Sequence, residues 1–134
     1  MMAEAEKIPD ALRYTKDHEW VKEEEGTVIV GITDHAQQAL GEITYVELPP
    51  VGKAAARSEE LAAVESAKAA SDVYAPVGGT VQEVNSALED APETINADPY
   101  GAGWICKLTG VDSAEISSLL SAEQYKKLLE SESA

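Results

Sequence analysis

Apolar and polar positions alternate most cleanly in Thr27-Val28-Ile29-Val30-Gly31-Ile32, where Val28, Val30 and Ile32 fall on one side of an extended chain. That period of two predicts a half-buried strand. Ile43 to Leu48 predicts another, stopped by Pro49-Pro50 and the Val51-Gly52 turn because proline has no N–H to give a ladder. Leu61 to Val64 leads into the segment Glu65-Ser66-Ala67-Lys68-Ala69-Ala70-Ser71-Asp72, and Val73 to Val77 leads out with Val73, Ala75 and Val77 alternating. The pair predicts a hairpin with Lys68 near its tip. Pro76-Val77-Gly78-Gly79 makes the next turn, Thr80 to Val84 resumes an extended run, and Asn85 opens a loop or short helix to Pro92. Trp104-Ile105-Cys106-Lys107-Leu108, set off by Gly101 and Gly103, predicts a strand with Trp104, Cys106 and Leu108 on one face and Ile105 and Lys107 on the other.

Helical signals are fewer. Asp34-His35-Ala36-Gln37-Gln38-Ala39-Leu40 predicts one short crossing helix, with Asp34 as N-cap, Gln37 three residues on and Gly41 just past the end. In the tail, Asp112 caps toward Glu115, Ser121-Ala122-Glu123-Gln124 is a capping box, and Tyr125, Leu128 and Leu129 form an apolar stripe suited to packing on a sheet. The residues before Thr27 read as an acidic, loose N-terminus. Short strands spaced by Gly and Pro turns predict a mainly β fold, a small β-sandwich or flattened barrel with the crossing helix and C-terminal helices at its periphery. The expected organisation is one domain over 1–134, with a core from about 12 to 110 and a helical segment from about 112 to 131.

A chain of 134 residues buries roughly two-thirds of its unfolded surface and needs no disulfide staples. Its charge narrows the choice of partners. Twenty-five acidic against ten basic residues give a net charge of −15, which repels nucleic-acid phosphates and anionic lipid and favours proteins with basic patches. No apolar run is long enough to span a bilayer, and the start Met1-Met2-Ala3-Glu4-Ala5-Glu6 has neither a secretory signal's regions nor a transit peptide's arginines. The single cysteine, Cys106, forms no internal disulfide and fits a reducing compartment. The expected location is the bacterial cytoplasm, or the mitochondrial matrix for an already processed eukaryotic protein.

Catalytic chemistry is hard to find. With only His18, His35 and Cys106 available, no tetrahedral nitrogen and sulfur metal site forms at a familiar spacing. Gly101-Ala102-Gly103-Trp104 lacks the third glycine of a dinucleotide fingerprint, and there is no phosphate-binding loop and no Gly-x-Ser-x-Gly elbow. Cys106 on an apolar face reads as a buried, inert thiol, and His18 and His35 as structural or surface histidines. No spacing among the carboxylates picks out an acid/base pair. Lys68 differs from an ordinary solvated loop lysine in its setting. Its flanking Glu65 and Asp72 favour the ammonium form, so it suits presentation to another enzyme's active site better than service as a nucleophile.

Several motifs taken in order resemble the H-protein family of the glycine cleavage system. They are Tyr14-Thr15-Lys16-Asp17-His18-Glu19-Trp20-Val21, Gly31-Ile32-Thr33-Asp34-His35-Ala36-Gln37, Leu40-Gly41-Glu42-Ile43 and Val46-Glu47-Leu48-Pro49. Val64 to Pro76, with the lysine hairpin, and Asn96-Ala97-Asp98-Pro99-Tyr100-Gly101-Ala102-Gly103-Trp104 complete the set. The resemblance implies a lipoyl/biotinyl-type fold and lipoic acid in amide linkage to Lys68. It also implies a non-catalytic carrier, whose arm takes the aminomethyl group of glycine from a pyridoxal phosphate-dependent decarboxylase (P protein) to a tetrahydrofolate-dependent aminomethyltransferase (T protein). A dihydrolipoyl dehydrogenase (L protein) then reoxidises the arm, and a lipoate ligase or lipoyl/octanoyl transferase installs it. Glu19, and less directly Asp72, are the carboxylates that would shelter the loaded arm. Ala67 stands where many members carry valine and Gly78-Gly79 where serine-glycine is common; neither removes the lysine or its turn. A lipoyl domain of a 2-oxo acid dehydrogenase is shorter and lacks the Tyr14 to Trp20 segment and the helical tail. A biotin carrier typically flanks its lysine with methionines, where this chain has Ala67 and Ala69. Relay of lipoyl groups to other acceptor proteins is the alternative role.

Overall fold

The computed structural model describes residues 7–133, so the acidic start at 1–6 lies outside the described residues. Its strands are β1 (Arg13–Tyr14), β2 (Glu19–Glu24), β3 (Thr27–Ile32), β4 (Ile43–Glu47), β5 (Ala54–Ala55), β6 (Glu60–Ser66), β7 (Ala70–Tyr74), β8 (Gly79–Val84) and β9 (Cys106–Thr109). The helices are α1 (Asp34–Leu40), α2 (Ala87–Asp90), α3 (Thr94–Ala97), α4 (Ser113–Ser117) and α5 (Ala122–Ser133). Two antiparallel sheets form, one of six strands in the order β1-β2-β3-β9-β8-β5 and one of three in the order β4-β6-β7. The architecture is therefore the sandwich of the two expected forms, not a closed barrel.

The inward faces supply one core. Val28, Val30 and Ile32 of β3 pack with Ile43, Val46, Leu61, Val64 and Val73 of the smaller sheet, and all are buried. Burial of this apolar surface is the main favourable term holding the sheets together. A second cluster covers the opposite side of the larger sheet, where Tyr14 and Trp20 meet Tyr125 and Leu129 of α5. Tyr14 and Tyr125 stack with ring centroids 4.7 Å apart. The apolar stripe of the tail thus packs inward, and α5 starts on the expected capping box, with Ser121 Oγ accepting from Gln124 N and Gln124 Oε1 accepting from Ser121 N.

Three expectations need correction. The segment before Thr27 is not loose, because β2 pairs with β3 from Glu19↔Ile32 to Glu24↔Thr27. Glu25 (φ 50) and Gly26 (φ 84) close that hairpin with two consecutive positive φ values, the backbone whose twist matches the flanking strands. Helix α1 is capped by Thr33 and not by Asp34: Thr33 is extended and its hydroxyl accepts from Ala36 N, while the Asp34 carboxylate accepts from Lys7 N and Gln37 Nε2. Strand β9 begins at Cys106, so Trp104 lies outside it, packed with the second cluster and under Lys107 Nζ at 5.2 Å from its ring. Strands β1 and β5, of two residues each, and the four-residue α3 are too short to show a periodic signal.

Candidate functional site

Lys68 occupies the tip of the β6–β7 hairpin. The strands end at Ser66 and resume at Ala70, and the turn is closed by Ser66 N donating to Ala69 O at 2.8 Å. Ser66 also organises the turn from its side chain, since its Oγ accepts from Ala69 N at 3.2 Å. Short polar side chains that bond the backbone locally favour turns of this kind. Ala67, Lys68 and Ala69 are all exposed, so the ammonium projects between neighbours that add almost no bulk. The side chain passes over Gly41, where a Cβ would lie 3.1 Å from Lys68 Cε. Asn96 fixes that glycine by donating from Nδ2 to Gly41 O at 2.9 Å and accepting from Ile43 N at 2.9 Å.

Glu19 opens β2 and is buried, with 2 % of its surface exposed. Thr15 Oγ1 donates to its Oε1 at 2.7 Å, and Tyr74 N donates to its Oε2 at 3.0 Å. Burial outweighs these two bonds and, with the Asp17 charge adding to it, pushes the carboxyl up to about 7. Glu19, Thr15, Asp17 and Tyr74 line a cavity of about 220 Å³ between the turn before β2, the end of β7 and the Ser118–Leu120 connection. Asp72 is exposed and does not line that cavity. It lies beside Glu60, and its proximity raises the Glu60 carboxyl. The structure thus sets Glu19 in a sheltered concavity and leaves Asp72 on the outer face of its strand.

Cys106 is buried, and burial pushes its thiol up to about 12, which makes it inert at neutral pH. His18 sits in the turn before β2 with φ 72, and His35 lies in the first turn of α1, their ring centroids 4.6 Å apart. The sequence gives no sign that these histidines meet, because 18 and 35 are too far apart in the chain for a periodic signal. No helix among the described residues is long and apolar enough to cross a membrane.

The family model described as "Glycine cleavage H-protein" matches residues 12–132. Among curated relatives, a glycine cleavage system H protein from a Psychrobacter species is 57% identical over 120 residues, covering 89% of this chain and 95% of the relative. One from Thermus thermophilus is 55% identical over 125 residues, covering 93% of this chain and 98% of the relative. The crystal structure of a glycine cleavage system H protein from Mycobacterium marinum superposes with a TM-score of 0.82 at 41% identity, covering 90% of this chain and 97% of that one. The family model spans nearly all of the described residues and the relatives cover about nine-tenths of the chain, so the chain belongs to the glycine cleavage H-protein family.

Proposed function

We propose that this chain is the lipoyl carrier of a glycine cleavage system, modified on Lys68, with the P, T and L proteins as its partners. The observation that carries the site assignment is the Lys68 turn itself: an exposed lysine at a tight tip, flanked by alanines, above a glycine whose missing Cβ leaves room for the side chain. A modifying enzyme, a lipoate ligase or lipoyl/octanoyl transferase, must enclose the lysine, and small neighbours on a rigid hairpin permit that approach. The donor chemistry also fits, since a lysine amine forms a stable amide with a carboxylic acid. When attached, the lipoyl group supplies a dithiol/disulfide pair that partner enzymes load, unload and reoxidise.

The protein's own residues then have three tasks. Lys68 anchors the arm, and the β6–β7 hairpin holds the anchor clear of the body. Strand β7 connects the anchor to the cavity: its run from Ala70 to Tyr74 covers about 13 Å at about 3.3 Å per residue, a span that a lysine extended by an octanoyl-length chain matches. At the far end Glu19 offers a carboxylate in a sheltered place, suited to an amine-bearing load. A cation beside Glu19 would favour its ionised form and replace desolvation cost with a charge-assisted contact. Asp72 is the weaker shelter candidate, because it is exposed and lies outside the cavity. The chain itself performs no decarboxylation. Its net charge of −15 favours basic docking surfaces on the partners, with affinity that falls as salt rises. The Psychrobacter and Thermus relatives are bacterial proteins, and the bacterial cytoplasm is the compartment proposed for it.

The test is intact and peptide mass spectrometry of protein from a lipoylating host. One lipoyl adduct is expected, on Lys68, and none on Lys68→Arg; an adduct persisting on that variant removes the assignment. For the shelter, wild type and Glu19→Gln are loaded with glycine and P protein, separated, and followed for ammonia or formaldehyde release. Faster release from Glu19→Gln with normal modification of Lys68 is expected. Equal rates would end the role given to Glu19.

A further inference from the structure

His18, His35 and Glu132 come from three separate elements, the turn before β2, the first turn of α1 and the last turn of α5. One ligand atom from each lies within 4.8 Å of the others. His18 Nε2 is 3.5 Å from Glu132 Oε1. Two donors on a tetrahedral zinc ion, each about 2.0 to 2.1 Å from the metal, stand about 3.4 Å apart. The His18–Glu132 separation is close to that value, and a ring nitrogen of His35 lies within 4.8 Å of both.

The surroundings of His18 point the same way. Its Nδ1 is 2.7 Å from Tyr125 Oη, and Tyr125 Oη is 2.8 Å from the buried Thr33 Oγ1. Nδ1 is thus engaged by the protein, and Nε2 is the nitrogen turned toward Glu132. A metal-ligating imidazole is held in this way, one nitrogen bonded to the protein and the other turned to the ion. The ring is further constrained by the left-handed backbone at His18, φ 72.

We propose that His18, His35 and Glu132 form a binding site for one divalent transition-metal ion of the zinc class. Two imidazoles and a carboxylate suit zinc, cobalt or nickel and not the hard cations calcium and magnesium, which take oxygen donors. The fourth position is open to water, and the half-exposed Glu132, at 44% side-chain exposure, leaves a route from solvent. The bound ion ties the end of α5 to α1 and to the turn that precedes Glu19. Its role is to clamp the C-terminal helix over the second cluster.

The test uses the full-length chain, stripped with chelator and titrated with Co²⁺ and then Zn²⁺. The expected result is one Co²⁺ per chain with the visible absorption of a four-coordinate site, displaced by Zn²⁺, and a rise in melting temperature with zinc. Three variants locate it: His18→Asn, chosen because asparagine tolerates the left-handed backbone, His35→Gln and Glu132→Gln. Each histidine variant is expected to bind at least tenfold more weakly and to lose the zinc-dependent rise, with circular dichroism unchanged. Glu132→Gln, at an exposed helix end, tests the site without threatening the fold and is expected to weaken binding too. Wild type without saturable binding at millimolar zinc, or variants that bind as wild type does, would overturn the proposal.

Discussion

Glu19 Oε2 accepts the backbone N–H of Tyr74 at 3.0 Å, so a buried carboxyl of the six-stranded sheet closes the end of a strand in the three-stranded one. The link joins the two sheets beside the cavity. It also leaves the last residue of β7 held by a side chain from another sheet and not by a ladder partner alone.

The first prediction concerns pH. The Glu19 carboxyl is pushed from 4.5 to about 7 on folding, chiefly by burial. Between those values the unfolded state has released a proton that the folded state still holds, so stability falls as pH rises through the window and is level outside it. The size is about 3 kcal/mol. Glu19→Gln has no proton to lose. Urea unfolding of chelator-treated wild type and variant at pH 4.5, 6 and 7.5 should therefore show the variant gaining on wild type by that amount. A constant difference across the range would mean that Glu19 is not buried as described.

Gly31 faces Trp20 across the β2–β3 ladder, and a Cβ at Gly31 would lie 2.6 Å from Trp20 Cε2 and Nε1. The indole has little freedom to yield, since its Nε1–H donates to Pro99 O at 3.0 Å and the residue is 1 % exposed. Gly31→Ala is expected to cost about 3 kcal/mol, a fall of roughly 10 °C in melting temperature. Unchanged thermal unfolding would show that the indole has another place to go.

Gly41 has φ 83 and ψ −158, a conformation open essentially to glycine alone. Gly41→Ala should lose about 1 to 3 kcal/mol for backbone strain. The 3.1 Å contact with Lys68 Cε costs less, because the flexible end of a lysine moves aside. Denaturation should register the loss while mass spectrometry still finds Lys68 modified. Loss of modification at full stability would reverse that ranking of the two effects.

Cys106, buried with its thiol pushed up to about 12, should react with a disulfide reagent at pH 8 only as fast as the protein opens. In urea above the unfolding midpoint one thiol per chain should react at once. Rapid reaction of the native protein would place the thiol at the surface.

Much of this fold is local, and local features could be read from the chain. Strand β3 shows itself because every second residue faces the core. The ends of α5 and α4 show themselves because Ser121 and Asp112 cap with their own side chains. The lysine hairpin is legible because turn chemistry at Ser66 and the runs on either side need nothing from elsewhere. Lys68 could be singled out for the same reason, its small flanks and exposed tip being properties of a few consecutive residues.

Other features depended on partners distant in sequence. Strand β2, Glu-Trp-Val-Lys-Glu-Glu, has a charged half with no periodic signal of its own, and it is ordered by the ladder to β3 and by the fit of Trp20 over Gly31. Thr33 takes the cap from Asp34 because Lys7 and Gln37 occupy the aspartate. The burial of Glu19, which a sequence reads as one more acidic residue, follows from the approach of Tyr74 from the other sheet. The grouping of His18 and His35 with Glu132 needs α5 to fold back across the larger sheet. The sequence by itself determined strand β3, the lysine hairpin and the caps of α4 and α5, because those are set by neighbours within a few residues. The tertiary structure alone decided which carboxylate is sheltered and which histidines meet, because burial and proximity belong to the packing of distant segments.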